Sequence, residues 1–404
     1  MKPKSTLKFY LLLSFFLVQA PAYLQLLTKE ELAQKPVFKN LAEASVNPDN
    51  VYRLDLSHQG LNAIPESISS FKNLQELSIS NNELVGFPVA ITTLTNLQIL
   101  HAEKNQFTSL PASIGNLINL HTFSLNNNKL ISLPESFGNL NQLIKLDLHF
   151  NNLRKLPESI GNLQNLKVAD LYVNDLEKLP KSIGNLAKLT DLYIGSNRLM
   201  KIPETIGLLK SLTVLDLGDN QIKVLPESIC DLKELEYLFI YENQLTSLPE
   251  NIGNLVKLTE LDLNGNQLSV LPESIGKMVN LRELNLDVNL FREFPPVVLT
   301  LGTLETLGLS YNQIYLIPEK INRLIKLEAL TLDDNPISGL PETFWSLTNL
   351  VSLDLSGTLI SSVPVKLSYL TKLQELDLTG VPLTQEQLES VKKYLVHPDV
   401  QVRY

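Results

Sequence analysis

Cys230 is the chain's one cysteine, which excludes an intramolecular disulfide, a cysteine-based zinc site and a redox pair. Basic residues are also short: 34 Lys and Arg stand against 43 Asp and Glu, for a net charge of −9. A nucleic-acid partner needs a basic face to displace condensed counterions, so no nucleic acid is expected, nor an anionic membrane surface. Aromatic residues make up 7% of a chain that is 44% hydrophobic, so a core must rest mainly on Leu and Ile. No apolar run reaches the ~20 residues that span a bilayer as a helix. Catalytic signatures are missing too: there is no glycine-rich phosphate loop, Ser-His-Asp constellation or H-E-x-x-H helix. No enzyme activity and no cofactor are expected.

What the chain does have is a period. Residues 143–165 read LIKLDLHFNNLRKLPESIGNLQN, with Leu143, Leu146, Leu148, Asn151 and Leu153 spelling LxxLxLxxNxL. Leu156, Pro157, Ile160 and Leu163 complete the unit as LPxxIxxL. The unit recurs every 23 residues from Val51, without insertion or deletion, through fourteen full repeats and a partial fifteenth at Leu373. Such a period marks a leucine-rich repeat solenoid, an α/β horseshoe with a parallel sheet on the concave face and short helical turns on the convex face. One coil cannot bury its own apolar face, so stacking supplies the core. The fifteenth position is Pro in every full repeat, and Glu follows it in nine, placing a rigid residue and then a negative charge at a helix start. Cys230 stands where seven other repeats place Gly, for example Gly207 and Gly253, and reads as a packed small residue.

The ends depart from the period. Residues 1–22 have a basic start (Lys2, Lys4, Lys8), a short apolar stretch Phe9–Val18 and the small residues Ala20-Pro21-Ala22, the pattern of a cleaved secretory signal. Residues 23–50 read as an N-terminal helical cap. Thr28 to Glu31 has capping-box spacing and Pro36 ends that helix, while Phe38, Leu41, Ala42 and Val46 lie on one side of a second segment. The solenoid spans 51–383. Residues 384–404 read as a closing cap, with a helix from Thr384 to about Leu395, a turn at His397-Pro398, and alternating Val400, Val402 and Tyr404 as a strand.

Two sets of residues stand out against this frame. The ninth position is Asn in twelve consecutive repeats: Asn82, Asn105, Asn128, Asn151, Asn174, Asn197, Asn220, Asn243, Asn266, Asn289, Asn312 and Asn335. An amide that donates and accepts at once can tie the turn of one coil to the next, and the ladder ends with the stack, at Gln59, Thr358 and Val381. The second set faces outward between the strand leucines, on a concave face roughly 70 Å long for strands about 4.8 Å apart. Aromatics gather there between the fifth and ninth strands, as His149, Phe150, Tyr172, Tyr193, Tyr237, Phe239 and Tyr241. Tyr172 and Tyr241 share a position three coils apart with Gly195 and Gly218 between them, which predicts a shallow trough walled by tyrosines above Asp216 and Asp219.

From the eighth strand on the outward positions are acidic, including Asp216, Asp219, Glu236, Glu242, Glu260, Asp262, Asp287, Asp333, Asp334, Asp354 and Asp377, with Arg282 the sole basic residue. That stripe fits a basic partner, although Asp is common at this place in the repeat and a charge run also suits a merely solvated face. His58, His101, His121 and His149 lie on different coils at mismatched offsets, so no metal site is expected. Asp147 and Asp170 lie on adjacent strands with no base-orienting partner foreseen.

The repeat resembles the 23-residue leucine-rich class with the consensus LPxxIGxLxxLxxLxLxxNxL, found in Ras-binding scaffold proteins and in secreted proteins of pathogenic bacteria. The opening segment VFKNLAEASVNPDNVYRLDLS is similar to that of secreted leucine-rich repeat proteins of pathogenic spirochaetes. The resemblance implies a secreted or surface-exposed, monomeric protein-binding module, whose partner could be a basic or glycosylated host surface protein. An intracellular Ras-type scaffold is the other reading, and the signal segment discriminates against it. Some bacterial relatives carry a C-terminal ubiquitin-ligase domain with a catalytic cysteine; Cys230 lies inside a repeat and no room is left for that domain.

Overall fold

Each 23-residue unit forms one coil. A three-residue strand is followed by a turn, an extended segment and a short 3-10 helix on the far side. The computed structural model describes residues 26–395 and 400–404. The expected signal segment and the His397-Pro398 turn lie outside those residues. Strands β2 (Arg53–Asp55) to β16 (Glu375–Asp377) come one from each coil. With β1 (Val37–Phe38) and β17 (Gln401–Arg403) at the ends, they form one 17-stranded parallel sheet. Register is uniform, because equivalent residues of successive coils pair: Lys145 with Val168, Leu146 with Ala169, Asp147 with Asp170. The chain is an open α/β solenoid.

The leucine pattern dictates what is buried. Leu143, Leu146, Leu148, Leu153, Leu156, Ile160 and Leu163 of the fifth coil are all within the core. Each such side chain is worth about 1.5–3 kcal/mol on full burial. The early coils add something the leucine count does not reveal, a run of packed rings in which Phe87 and Phe107 lie 5.4 Å apart and Phe123 stacks on Phe137 at 6.1 Å.

Polar ladders stitch the coils together on both sides. Asn151 Nδ2 donates to the carbonyls of Leu125 (3.0 Å), Leu148 (3.0 Å) and His149 (3.4 Å), while its Oδ1 accepts from Leu130 N–H at 3.0 Å. The same bonds repeat at Asn220 and Asn335. On the convex side a second ladder occupies the last position of the repeat. Asn119 Nδ2 donates to Thr95 O at 2.8 Å, Asn165 to Asn141 O at 2.9 Å, and Asn280 to Val256 O at 2.8 Å. Proline's part is specific: Pro157 is extended and precedes the 3-10 turn Glu158–Asn162, and its carbonyl accepts the first bond of that turn from Ile160 N–H at 3.1 Å.

Both ends are covered. Helix α1 (Lys29–Ala33) has the reciprocal capping box between Thr28 and Glu31, and α2 (Leu41–Ala44) is capped by Asn40. The face expected on the second segment is different. Phe38 pairs in β1, Ala44 rather than Ala42 is buried, and Val46 is 86% exposed. Val46, five residues past Leu41, would lie about 140° round even a continued helix, and α2 ends before it. The Arg53 guanidinium holds the cap down, bonding Glu76 through both ends (2.8 and 3.1 Å) and the carbonyl of Ala33 (3.1 Å). At the other end α3 (Gln385–Tyr394) begins with the Thr384–Gln387 capping box, and β17 pairs with β16.

Candidate functional site on the concave face

The turn after each strand sets where the outward side chains stand. The eighth residue of every coil is left-handed, from His58 (φ 58°) through Phe150 (53°), Val173 (52°), Asp219 (50°) and Glu242 (49°) to Gly380 (75°). For a side chain other than glycine this costs roughly 1–2 kcal/mol. The stacked backbone imposes it: Phe150 N–H donates to Tyr172 O at 3.0 Å and Asn151 N–H to Val173 O at 3.2 Å. Phe150, Asp219 and Glu242 therefore stand exposed at the edge of the sheet.

The fifth position has a local task as well. Its carboxylate accepts the seventh residue's N–H, which the strand ladder leaves unpaired. Examples are Asp170 with Tyr172 (3.0 Å), Asp216 with Gly218 (2.9 Å), Asp262 with Asn264 (3.0 Å) and Asp354 with Ser356 (2.9 Å). Asp is frequent in this place because a short acceptor closes the turn.

The tyrosine trough does not stand open. Tyr172 lies over Gly195 and Tyr241 over Gly218, so close that a Cβ on Gly218 would sit 2.3 Å from the Tyr241 ring. The two glycines leave bare backbone, and the rings drop onto it instead of walling it. Tyr172 and Tyr241 meet across the pair and cover Asp216, whose Oδ1 would lie 3.0 Å from a Cβ on Gly195. Burial first, then the Asp216 charge and Tyr172, push the Tyr241 hydroxyl pKa upward. The aromatics that remain presented flank this lid. On one side His149 meets Phe150 edge-on at 5.4 Å; on the other Tyr237 and Phe239 stack at 6.5 Å, with Tyr237 37% exposed. Tyr193 lies in register between Asp170 and Asp216, half-buried.

The acidic stripe is present and its few cations are spent. Arg282 pairs with Glu305 of the next coil at 2.9 Å. Arg403, on the final strand, is a second basic residue on this row and faces Asp377 at 3.5 Å. Burial, the largest cause in each case, raises the carboxyls of Asp170, Asp216, Asp262, Asp287 and Asp333 above their ordinary range. Neighbouring carboxylates add to this at Asp170 (from Asp147), Asp216, Asp287 and Asp333. The end coils behave oppositely. Burial pushes Asp55 and Asp377 up but is outweighed, by Lys39 and Ser57 at Asp55 and by Thr379 and Arg403 at Asp377, and both end lowered.

The signs predict a pH profile. A raised carboxyl favours the fold below its unfolded value of about 3.9, and that contribution is lost as pH rises through the folded value; a lowered one favours the fold above about 3.9 and fails as pH falls through its own. The melting temperature is therefore expected to rise with falling pH as the central row protonates in its raised range above about 3.9, and to fall at lower pH as the carboxyls of the end coils protonate in their lowered range. A melting temperature that falls steadily from pH 8 to pH 5 would contradict it.

The histidine expectation needs correction. His149 is not isolated: its Nδ1 lies 2.7 Å from Asp147 Oδ1 and 3.4 Å from Asp170 Oδ2. Asp147 is the partner that orients this imidazole. Sequence offsets hid the grouping, because a residue two beyond Asp147 returns to the same face of the sheet, where register places Asp170 alongside. Cys230 is buried, with its thiol pushed up to about 11 by burial and by Glu227, so it stays protonated at neutral pH.

Comparison with known proteins agrees with this architecture. Residues 192–293 match the leucine-rich repeat region family, residues 49–107 and 325–383 the leucine rich repeat family, and 119–140 and 142–163 a further leucine rich repeat pattern. No curated protein matches the sequence. Among solved structures, a leucine-rich repeat protein of Leptospira interrogans is 36% identical with a TM-score of 0.79, over 91% of this chain and all of that one. The plant peptide hormone receptor RGFR1, solved in complex with RGF2, is 30% identical with a TM-score of 0.68, over 88% of this chain and 63% of the receptor. The internalin InlF of Listeria monocytogenes, at 24% identity and a TM-score of 0.67, shares the fold over 76% of this chain and 88% of its own. With the repeat, the stacked coils and a 36% identical relative covered along its whole length, the chain belongs to the leucine-rich repeat proteins.

Proposed function

We propose that the protein is a non-enzymatic, secreted or surface-exposed binding module that recognises a protein partner, a basic host surface protein being the best fit, on the concave face between the fifth and ninth coils. The observation that carries this reading is the presented aromatic pair Tyr237 and Phe239 beside an acidic row whose basic residues are already paired. Rigid aromatic side chains bury large area at little entropic cost, and uncompensated carboxylates steer a cationic partner toward them. Receptor ectodomains of this fold solved with bound peptides, such as RGFR1 with RGF2, support use of the same module for polypeptide recognition. Export rests on the residue 1–22 pattern. Among the described residues no helix is long and apolar enough to cross a membrane.

The test is capture of partners from host-cell surface extracts by the immobilised mature chain, followed by an affinity measurement on the captured protein. Replacing Tyr237 and Phe239 together with Ala is expected to weaken binding more than about 100-fold, two anchors each contributing about 2 kcal/mol. Gly218→Ala, which lifts the Tyr241 ring, should also change affinity while the melting temperature stays within a few degrees. Unchanged binding by both variants would move the site off this face.

A further inference from the structure

We propose that Asp147, His149 and Asp170 form a binding site for one divalent metal ion of the zinc class on the concave face. Among the described residues these are the three His, Cys, Asp or Glu side chains that converge, with one ligand atom from each within 4.8 Å of the others. The inference rests on this geometry and does not depend on the identity of any protein partner.

Two carboxylates and an imidazole nitrogen match a three-ligand zinc site that leaves a fourth position open. Ligands about 2.1 Å from a tetrahedral ion stand about 3.4 Å from one another. His149 Nδ1 and Asp170 Oδ2 already have that separation, at 3.4 Å. Nδ1 and Asp147 Oδ1, at 2.7 Å, are drawn together by the proton between them. That pair opens by about 0.7 Å when a metal replaces the proton, the ring then carrying its one N–H proton on Nε2 as a neutral ligand.

The frame around the ligands is rigid. Asp147 and Asp170 are register partners on adjacent strands, and their remaining oxygens are held from outside. Asn126 Nδ2 donates to Asp147 Oδ2 at 2.7 Å, and Tyr172 N–H donates to Asp170 Oδ1 at 3.0 Å. Such outer contacts aim the free oxygen and the ring nitrogen at a common point. The two carboxylates stand side by side on adjacent strands, so a cation between them relieves their repulsion. The site is also reachable, since the side chains of His149, Asp147 and Asp170 are 27%, 15% and 29% exposed. The nitrogen ligand selects the ion: imidazole suits Zn2+ and its neighbours, whereas Ca2+ and Mg2+ take oxygen ligands in larger number.

The experiment uses the untagged mature chain, stripped with a chelator and titrated with ZnCl2 by calorimetry, alongside CaCl2. One zinc per chain is expected, with a higher melting temperature in its presence. His149→Ala and the near-isosteric Asp170→Asn should each weaken zinc binding more than about 100-fold, and Asn126→Ala about 10-fold, as loss of an outer contact does. Asp170→Asn keeps an acceptor for Tyr172 N–H and removes a buried charge, so its metal-free melting temperature should be no lower than wild type. Zinc binding that is absent, or that survives both His149→Ala and Asp170→Asn, overturns the proposal. Calcium bound at equal strength and indifferent to His149→Ala overturns it equally, because the stripe at large would then be the ligand.

Discussion

Gly184→Ala is expected to destabilise the fold by about 3 kcal/mol, near the upper end for overpacking. Its Cβ would lie 2.3 Å from the carbonyl oxygen of Thr205 and 2.8 Å from the Thr205 Cβ, both on the next coil. A backbone carbonyl within a stack cannot step aside unless its coil moves, and that coil is bonded to the one beyond. Gly115, Gly138, Gly161 and Gly207 face the equivalent carbonyl oxygens of Ser136, Ser159, Ser182 and Ser228 at 2.3 to 2.5 Å. The protein contains its own version of the experiment at Cys230, which occupies this position with a buried side chain. In the following coil the usual five-residue 3-10 helix is reduced to Ile252–Asn254, whereas the coils after Thr92, Leu299 and Trp345, which also fill this position, keep five residues. Gly276→Ala is the internal control, because there the close atom is the Thr300 hydroxyl, 2.7 Å away on a side chain that can rotate. Thermal or urea unfolding of the two variants should separate them clearly, and equal destabilisation would show that the backbone contact is not the cause.

Asn220→Ala is expected to cost about 1–3 kcal/mol, the penalty for stranding buried polar groups. The amide donates to the carbonyls of Ile194 (3.1 Å), Leu217 (3.1 Å) and Gly218 (3.2 Å) and accepts from Leu199 N–H at 2.9 Å, so its removal strands the buried Leu199 N–H and takes one of two donors from carbonyls on two coils. Water cannot replace it without opening the turn. Since a solenoid is held by nearest-neighbour contacts, the loss falls on the central interface and should broaden the unfolding transition, as two half-stacks begin to melt apart. Asn220→Asp is the informative companion: it keeps the acceptor for Leu199 but sets a carboxylate against three carbonyl oxygens, and should be at least as damaging. A melting temperature unchanged in both variants would show that the ladder is dispensable.

Side chains that obey the repeat were legible because their roles are local or strictly periodic. Leu146 is inside because alternation along a strand puts it there, and Pro157 stands just ahead of a helical turn, where it has no N–H to leave unpaired. The capping boxes at Thr28 and Thr384 needed only a spacing of three. The free positions were harder to read. Tyr172 and Tyr241 were expected to wall a trough, yet where two glycines remove every intervening side chain the rings gain more contact lying down than standing. Asp147, His149 and Asp170 looked scattered in sequence because sheet register, not sequence separation, sets their distance. The acidic row had an architectural half that composition could not disclose, since fifth-position carboxylates such as Asp216, Asp262 and Asp354 close their own turns with one oxygen.

A strict 23-residue period was enough to determine a stacked parallel solenoid, its buried positions and its asparagine ladder, because each follows from a rule that every coil repeats. The tertiary structure alone decided which outward side chains lie down, which stand free and which converge. Those outcomes depend on contacts between residues one to three coils apart, and no local rule fixes them.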